Sequence, residues 1–216
     1  MMKCSRILSL AVVVALFAMG SASQATMLAN GDFELPGGVS NWSTIYSVDS
    51  TSLTGWTVTS GSVDLVGPSH WTAASGSLCV DLNGVQPGVL SQTFDTLAGQ
   101  AYRVTFAMAA NTDGPFGDFT MSVSAAGSSQ NFTFTRTSAH TDHDMGWTYK
   151  TFDFIASLGT DQTTLTFASI STPELASGPV IDDVSVAETT LTPEPATLGM
   201  LSLGVLMLRR RRAQKS

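Results

Sequence analysis

The chain is poor in cysteine, in basic residues and in helix-forming pattern. It has 2 cysteines in 216 residues. One of them, Cys4, lies in the N-terminal basic stretch, so the body of the chain keeps only Cys79 and no intramolecular disulfide framework is available to it. Cys79 sits in Ser77-Leu78-Cys79-Val80-Asp81-Leu82, which reads as a strand, and is expected to be a small buried hydrophobe. Between residues 26 and 192 the basic residues are Arg103, Arg136 and Lys150, against sixteen acids, a net charge near −13. That imbalance excludes a nucleic-acid binder, because phosphate contacts need Lys and Arg to release counterions. No amphipathic helical pattern of ten or more residues occurs between the two end segments. Catalytic signatures are missing too. There is no Gly-x-Ser-x-Gly elbow, and the only histidines are His70, His140 and His143. Two acids spaced for glycoside hydrolysis arise by chance among sixteen. The chain is read as a non-enzyme.

What is present begins with the ends. Lys3 and Arg6 precede an apolar run, Ile7 to Met19, followed by Ser23-Gln24-Ala25. This is the order of a secretory signal, cut after Ala25. At the other end Pro193-Glu194-Pro195 precedes the 13-residue apolar run Ala196–Leu208 and the cluster Arg209–Arg212. A membrane span needs about 20 apolar residues, so this segment is too short for a stable anchor. The arginines favour the cytoplasmic side of a membrane. The chain therefore divides into a signal peptide (1–25), one domain (26–188), a spacer with its motif (189–195) and an apolar, basic tail (196–216).

The tail residues resemble the PEP-CTERM sorting tail of exported proteins of Gram-negative bacteria. That resemblance implies processing by an exosortase, transient inner-membrane association through 196–208, and then release to the cell surface or the extracellular matrix.

Within the domain, apolar and polar residues alternate. Tyr102, Val104, Phe106 and Met108 alternate with Arg103, Thr105 and Ala107; Phe119, Met121 and Val123 with Thr120 and Ser122; Leu165 and Phe167 with Thr164 and Thr166. Period two predicts half-buried strands. Turn signals at Asp113-Gly114-Pro115, Ala126-Gly127 and Leu158-Gly159 separate them. Many short strands in one domain predict an all-β fold, a β-sandwich of jelly-roll type.

Several motifs occur in order: Asn30-Gly31-Asp32-Phe33-Glu34, Gly55-Trp56-Thr57-Val58, Val80-Asp81-Leu82-Asn83-Gly84, Met145-Gly146-Trp147 and Ile181-Asp182-Asp183-Val184-Ser185-Val186. Together they resemble the bacterial choice-of-anchor C family, and they are similar to plant cell-wall proteins with a galactose-binding-like jelly roll. The resemblance implies a calcium-stabilised sandwich that binds carbohydrate, exopolysaccharide or cell-wall glycan. The alternative is a structural or adhesive matrix component with no sugar site.

Three groups of residues are candidates for chemistry. Strand parity puts Val180, Asp182, Val184 and Val186 on one inward face, where an unpaired carboxylate is costly. Calcium ligated by carboxylates and carbonyls would relieve that cost. The resemblance assigns such a site to Glu34 and Asp182, with Asp32 as a third ligand. For sugar, Trp71 in the turn-rich Gly67-Pro68-Ser69-His70-Trp71 is the expected stacking platform, with Asn83, Asn111, Asp113 and Asp118 as hydroxyl partners. Finally, His140-Thr141-Asp142-His143-Asp144 has transition-metal ligand types. Such tight spacing seldom closes a tetrahedral site, so it reads as a loop.

Overall fold

The computed structural model describes residues 27–171 and 176–189. The signal segment 1–25, the Pro193-Glu194-Pro195 motif and the apolar run 196–208 lie outside the described residues. Every regular element among the described residues is a strand: β1 (Trp42–Tyr46), β2 (Thr57–Ser60), β3 (Ser62–Val66), β4 (Cys79–Asp81), β5 (Val89–Asp95), β6 (Ala101–Ala110), β7 (Gly117–Ala125), β8 (Ser128–Arg136), β9 (Thr148–Ile155), β10 (Gln162–Ser169) and β11 (Pro179–Thr189). They form a six-stranded sheet, β1-β3-β4-β11-β6-β9, and a five-stranded sheet, β2-β5-β10-β7-β8. The chain passes repeatedly from one sheet to the other, which makes the sandwich a jelly roll.

The alternation read from the sequence is the cause of this layering. Along β7, Phe119, Met121, Val123 and Ala125 are buried and the residues between them are not. Between the sheets, Phe106 meets Phe132 and Phe167 edge-on, with ring centroids 5.2 and 5.3 Å away. Burying each such ring contributes about 2–3 kcal/mol. The β7–β8 hairpin closes through Ala126 and Gly127, both at positive φ, as a tight two-residue turn requires.

The opening motif turns out to be a set of structural ties. The Asn30 side-chain amide donates to the carbonyls of Leu35 and Thr54, at 2.8 and 3.0 Å. The Trp56 indole donates to the Asn30 carbonyl at 2.9 Å. Phe33 is fully buried with its ring 5.4 Å from that of Trp56. The Val184 amide donates to the Gly31 carbonyl at 2.8 Å, which joins the start of the domain to its last strand.

Strand β11 departs from the parity expected of it. Its register with β6 runs Asp182 to Ala107 and then Ser185 to Thr105, one residue too many. Asp183 takes a positive φ of 47° at this bulge, and an extra residue reverses which face follows. Ile181 and Val186 lie opposite Met108 and Val104, on the side of β6 that carries Phe106. Val180 and Asp182 therefore point away from the sandwich interior, not into it with Val184 and Val186. Asp182 is still fully buried, because the chain around residues 74–78 covers it.

Candidate functional site

The outer face of the six-stranded sheet carries the polar chemistry. Thr44, Asp64, Asp81 and Val180 lie side by side across four strands. The chain from Thr72 to Leu78 is held over this face from below. The Ser75 amide donates to Asp182 Oδ2 at 2.8 Å. The amides of Ser77 and Leu78 donate to Glu34 Oε1 at 2.6 and 2.7 Å. From the side, the Thr72 amide donates to the Asp142 carbonyl at 2.8 Å and the Trp147 indole donates to the Thr72 carbonyl at 3.0 Å.

Beside this strap lies a cleft of about 320 Å³, lined among others by Trp42, Asp64, His70, Trp71, Asn111 and Asp113. Trp42, at the start of edge strand β1, is 53% exposed. Its ring lies 5.1 Å from that of His70, which in turn lies 5.1 Å from that of Trp71. His70 Nε2 is hydrogen-bonded to Asp113 Oδ2 at 2.8 Å. The Asp113 amide donates to Asn111 Oδ1 at 2.8 Å, and Asn111 Nδ2 donates to Asp81 Oδ2 at 2.7 Å. A hydrogen-bonded chain thus runs from the rim of the cleft to its buried floor and fixes the rotamers along it.

That floor is electrostatically strained. Burial pushes the Asp81 carboxyl up to about 7, against hydrogen bonds from Asn83 and Asn111 that favour its charge. Asp64, its cross-strand neighbour, is also raised by burial, with a Thr44 hydrogen bond opposing. Asp182 is pushed up to about 7 by burial despite its backbone donors. Among the described residues, basic side chains do not compensate these groups. Arg103 pairs with Asp153 at 2.7 Å, and Arg136 donates to the carbonyls of Gly114 and Thr112.

The structure brings Trp71, Asn111 and Asp113 into one cleft, as the sequence suggested, but changes the part Trp71 plays. It is only 2% exposed and forms a wall. The exposed indole is Trp42, which the sequence did not single out from the other tryptophans. The available signal was the alternation of Trp42, Thr44 and Tyr46 with Ser43 and Ile45 in a five-residue strand. Asn83 is fully buried behind Asp81, so it acts on the floor and offers no surface to a ligand. Asp118 accepts from Thr135 on the other sheet.

Of the residues considered for calcium, Glu34 and Asp182 hold the same short turn, while Asp32 is exposed. Among the described residues no three His, Cys, Asp or Glu side chains converge as a metal cluster. A buried carboxylate with no cation beside it suits calcium at Asp182. The oxygens there, however, already accept backbone N–H groups. In the 140–144 loop, His140 packs on Phe134 with centroids 5.0 Å apart, and Asp142 Oδ1 accepts from Thr112 at 2.5 Å. That loop ties neighbouring segments together.

Fold and cleft together define a two-sheet jelly roll with a polar and aromatic cleft on the outer face of its larger sheet. The chain belongs to the family described as "Protein of unknown function (DUF642)", matched over residues 26–187. It is 35% identical over 182 residues to halomucin of Haloquadratum walsbyi, covering 82% of this chain and only 2% of that protein's length. Among solved structures it is similar to a family 61 carbohydrate-binding module in complex with β-1,4-galactotriose (21% identity, 77% of this chain and 100% of that one, TM-score 0.42). It is likewise similar to a family 35 carbohydrate-binding module from Clostridium thermocellum (14% identity, 68% and 99% covered, TM-score 0.41). A third is the xylan-binding domain of a Paenibacillus barcinonensis protein (11% identity, 71% and 98% covered, TM-score 0.43).

Proposed function

We propose that this is an exported surface or matrix protein whose domain binds carbohydrate in the Trp42 cleft. The observation that carries the reading is an indole more than half exposed at the mouth of a cleft that also presents the polar side chains of Asp64, His70, Asn111 and Asp113. A sugar ring offers the matching surfaces. Its C–H face stacks on an aromatic plane, and its hydroxyls donate to carboxylates and amides at the edge. Rotamers held by the His70–Asp113–Asn111–Asp81 chain keep the entropic cost of binding low.

Export rests on the signal segment 1–25. Processing by an exosortase at Pro193-Glu194-Pro195, with transient inner-membrane association through 196–208, rests on the tail sequence. Intact mass of the native protein checks it, and a mature form retaining Arg209–Ser216 contradicts it. Calcium belongs to this reading as a structural ion at Glu34 and Asp182, holding the strap that walls the cleft. The domain binds and does not catalyse.

Purified protein screened against a glycan panel that includes the producer's own exopolysaccharide shows saturable binding to at least one polymer. Trp42→Ala weakens that binding about ten-fold or more, since aromatic anchors dominate such contacts. It leaves the melting temperature unchanged, because the ring is exposed. A well-folded protein that binds none of the panel returns the chain to a structural or adhesive matrix role.

A further inference from the structure

The Trp42 cleft is one of two along the same strand. Trp42, Thr44 and Tyr46 lie opposite Val66, Asp64 and Ser62 of β3, so all three point to the outer face of the sheet. Tyr46 is 58% exposed. A second depression, of about 410 Å³, is lined by Tyr46, Thr44, Ser47, Asp49 and Thr51, with two of their neighbours. Thr44 lines both clefts, so the two adjoin and follow one another as a groove along β1. Because β1 is the edge of its sheet, no further strand closes the groove. The two aromatic residues are four apart in an extended strand, a separation of about 13 Å at roughly 3.3 Å per residue. Several sugar rings are needed to bridge it.

The charge lining the groove is of one sign. Asp64 and Asp113 stand in the first cleft and Asp49 in the second, with no Lys or Arg among the lining residues. The Asp49 carboxylate is fixed in place. Its Oδ1 accepts from the amides of Thr51 and Ser52 at 2.8 and 2.9 Å, and its Oδ2 from the Ser52 hydroxyl at 2.6 Å. Fixed carboxylates accept hydrogen bonds from hydroxyls and repel uronic, sulfated or phosphorylated sugars.

We infer that the groove takes an internal stretch of a neutral glycan chain, laid along β1 with one ring on Trp42 and another on Tyr46. This rests on the carbohydrate reading above and narrows it to a polymer segment, as opposed to a chain end or an acidic polysaccharide. Two linked contacts on one ligand raise affinity with length until both are filled.

The test is calorimetric titration of the purified protein with disaccharides and hexasaccharides of the cello-, xylo- and β-1,4-galacto- series, with oligogalacturonate as the anionic probe. The expected result is a neutral hexasaccharide bound about ten-fold or more tighter than its disaccharide. Tyr46→Ala brings the hexasaccharide down to the disaccharide's affinity, and oligogalacturonate binds more weakly than the neutral series. Equal affinity for both lengths overturns the groove, as does a Tyr46→Ala protein with wild-type affinity or a preference for oligogalacturonate. If any of these holds while Trp42→Ala still abolishes binding, the carbohydrate reading stands without the groove. Binding to none of the probes or of the panel overturns both.

Discussion

Gly31→Ala lowers the melting temperature by about 10 °C, the result of losing about 3 kcal/mol or more in a domain of this size. A Cβ on Gly31 would overlap the backbone carbonyl oxygen of Val184, and backbone has no rotamer by which to move aside. Relief requires the first segment to separate from β11, at the expense of the hydrogen bond from the Val184 amide to the Gly31 carbonyl. That contact sits at the bulge that turns Asp182 toward Ser75. The damage therefore spreads through the strap at 72–78 to the wall formed by His70 and Trp71, and glycan affinity falls together with stability. Thermal denaturation followed by circular dichroism measures it. A variant melting within about 2 °C of wild type would show that the opening motif is not a structural tie.

The domain is more stable at about pH 5 than at about pH 8. Asp81 and Asp182 have folded-state values of about 7, against an ordinary value of 3.8. Between those values the folded state holds protons that the unfolded state has released, so stability falls as pH rises through that window. Two groups acting together make the slope steep. At the acid end the sign reverses. The hydrogen bonds from Ser52 and Thr51 hold Asp49 well below the usual carboxylate range, and the Arg103 hydrogen bond lowers Asp153. These two contribute stability that is lost as pH falls below about 4. Melting temperature therefore peaks at about pH 4–5 and declines on both sides. The calcium ion proposed at Glu34 and Asp182 adds a second expectation. It compensates the ionised carboxylate, so added calcium raises the melting temperature more at about pH 8 than at about pH 5, and chelator removes the gain. A profile that is flat or rising from about pH 5 to pH 8 without calcium contradicts the buried-carboxylate account.

The sandwich was legible in the sequence because its strands are half-buried and alternate. Phe119, Met121 and Val123 declare their face without any tertiary information. The bulge in β11 was not legible. Val180-Ile181-Asp182-Asp183-Val184 sets two apolar residues before two acids and so fits either face, and only the contact with Gly31 and the register with β6 show that one residue is extra. Parity alone therefore sent Asp182 to the wrong face while predicting its burial correctly. The cleft was half legible. Asn111 and Asp113 follow a strand in a turn-rich segment, and their polar character marked them. Trp71 looked exposed because glycine, proline and serine precede it, yet its ring packs beneath His70. Trp42 was hidden for the opposite reason. Its strand is five residues long and lies at an edge, where an aromatic can face solvent.

The central claim is that a glycan seats on Trp42 in the cleft beside the 72–78 strap. A ¹⁵N-resolved NMR titration with the best-binding polymer fragment tests it most directly. The account predicts saturable shifts of the Trp42 indole and of the amides of His70, Asn111 and Asp113, converging on one dissociation constant. Shifts confined to the separate depression lined by Leu97, Asp161 and Glu188, with Trp42 unmoved, would contradict it.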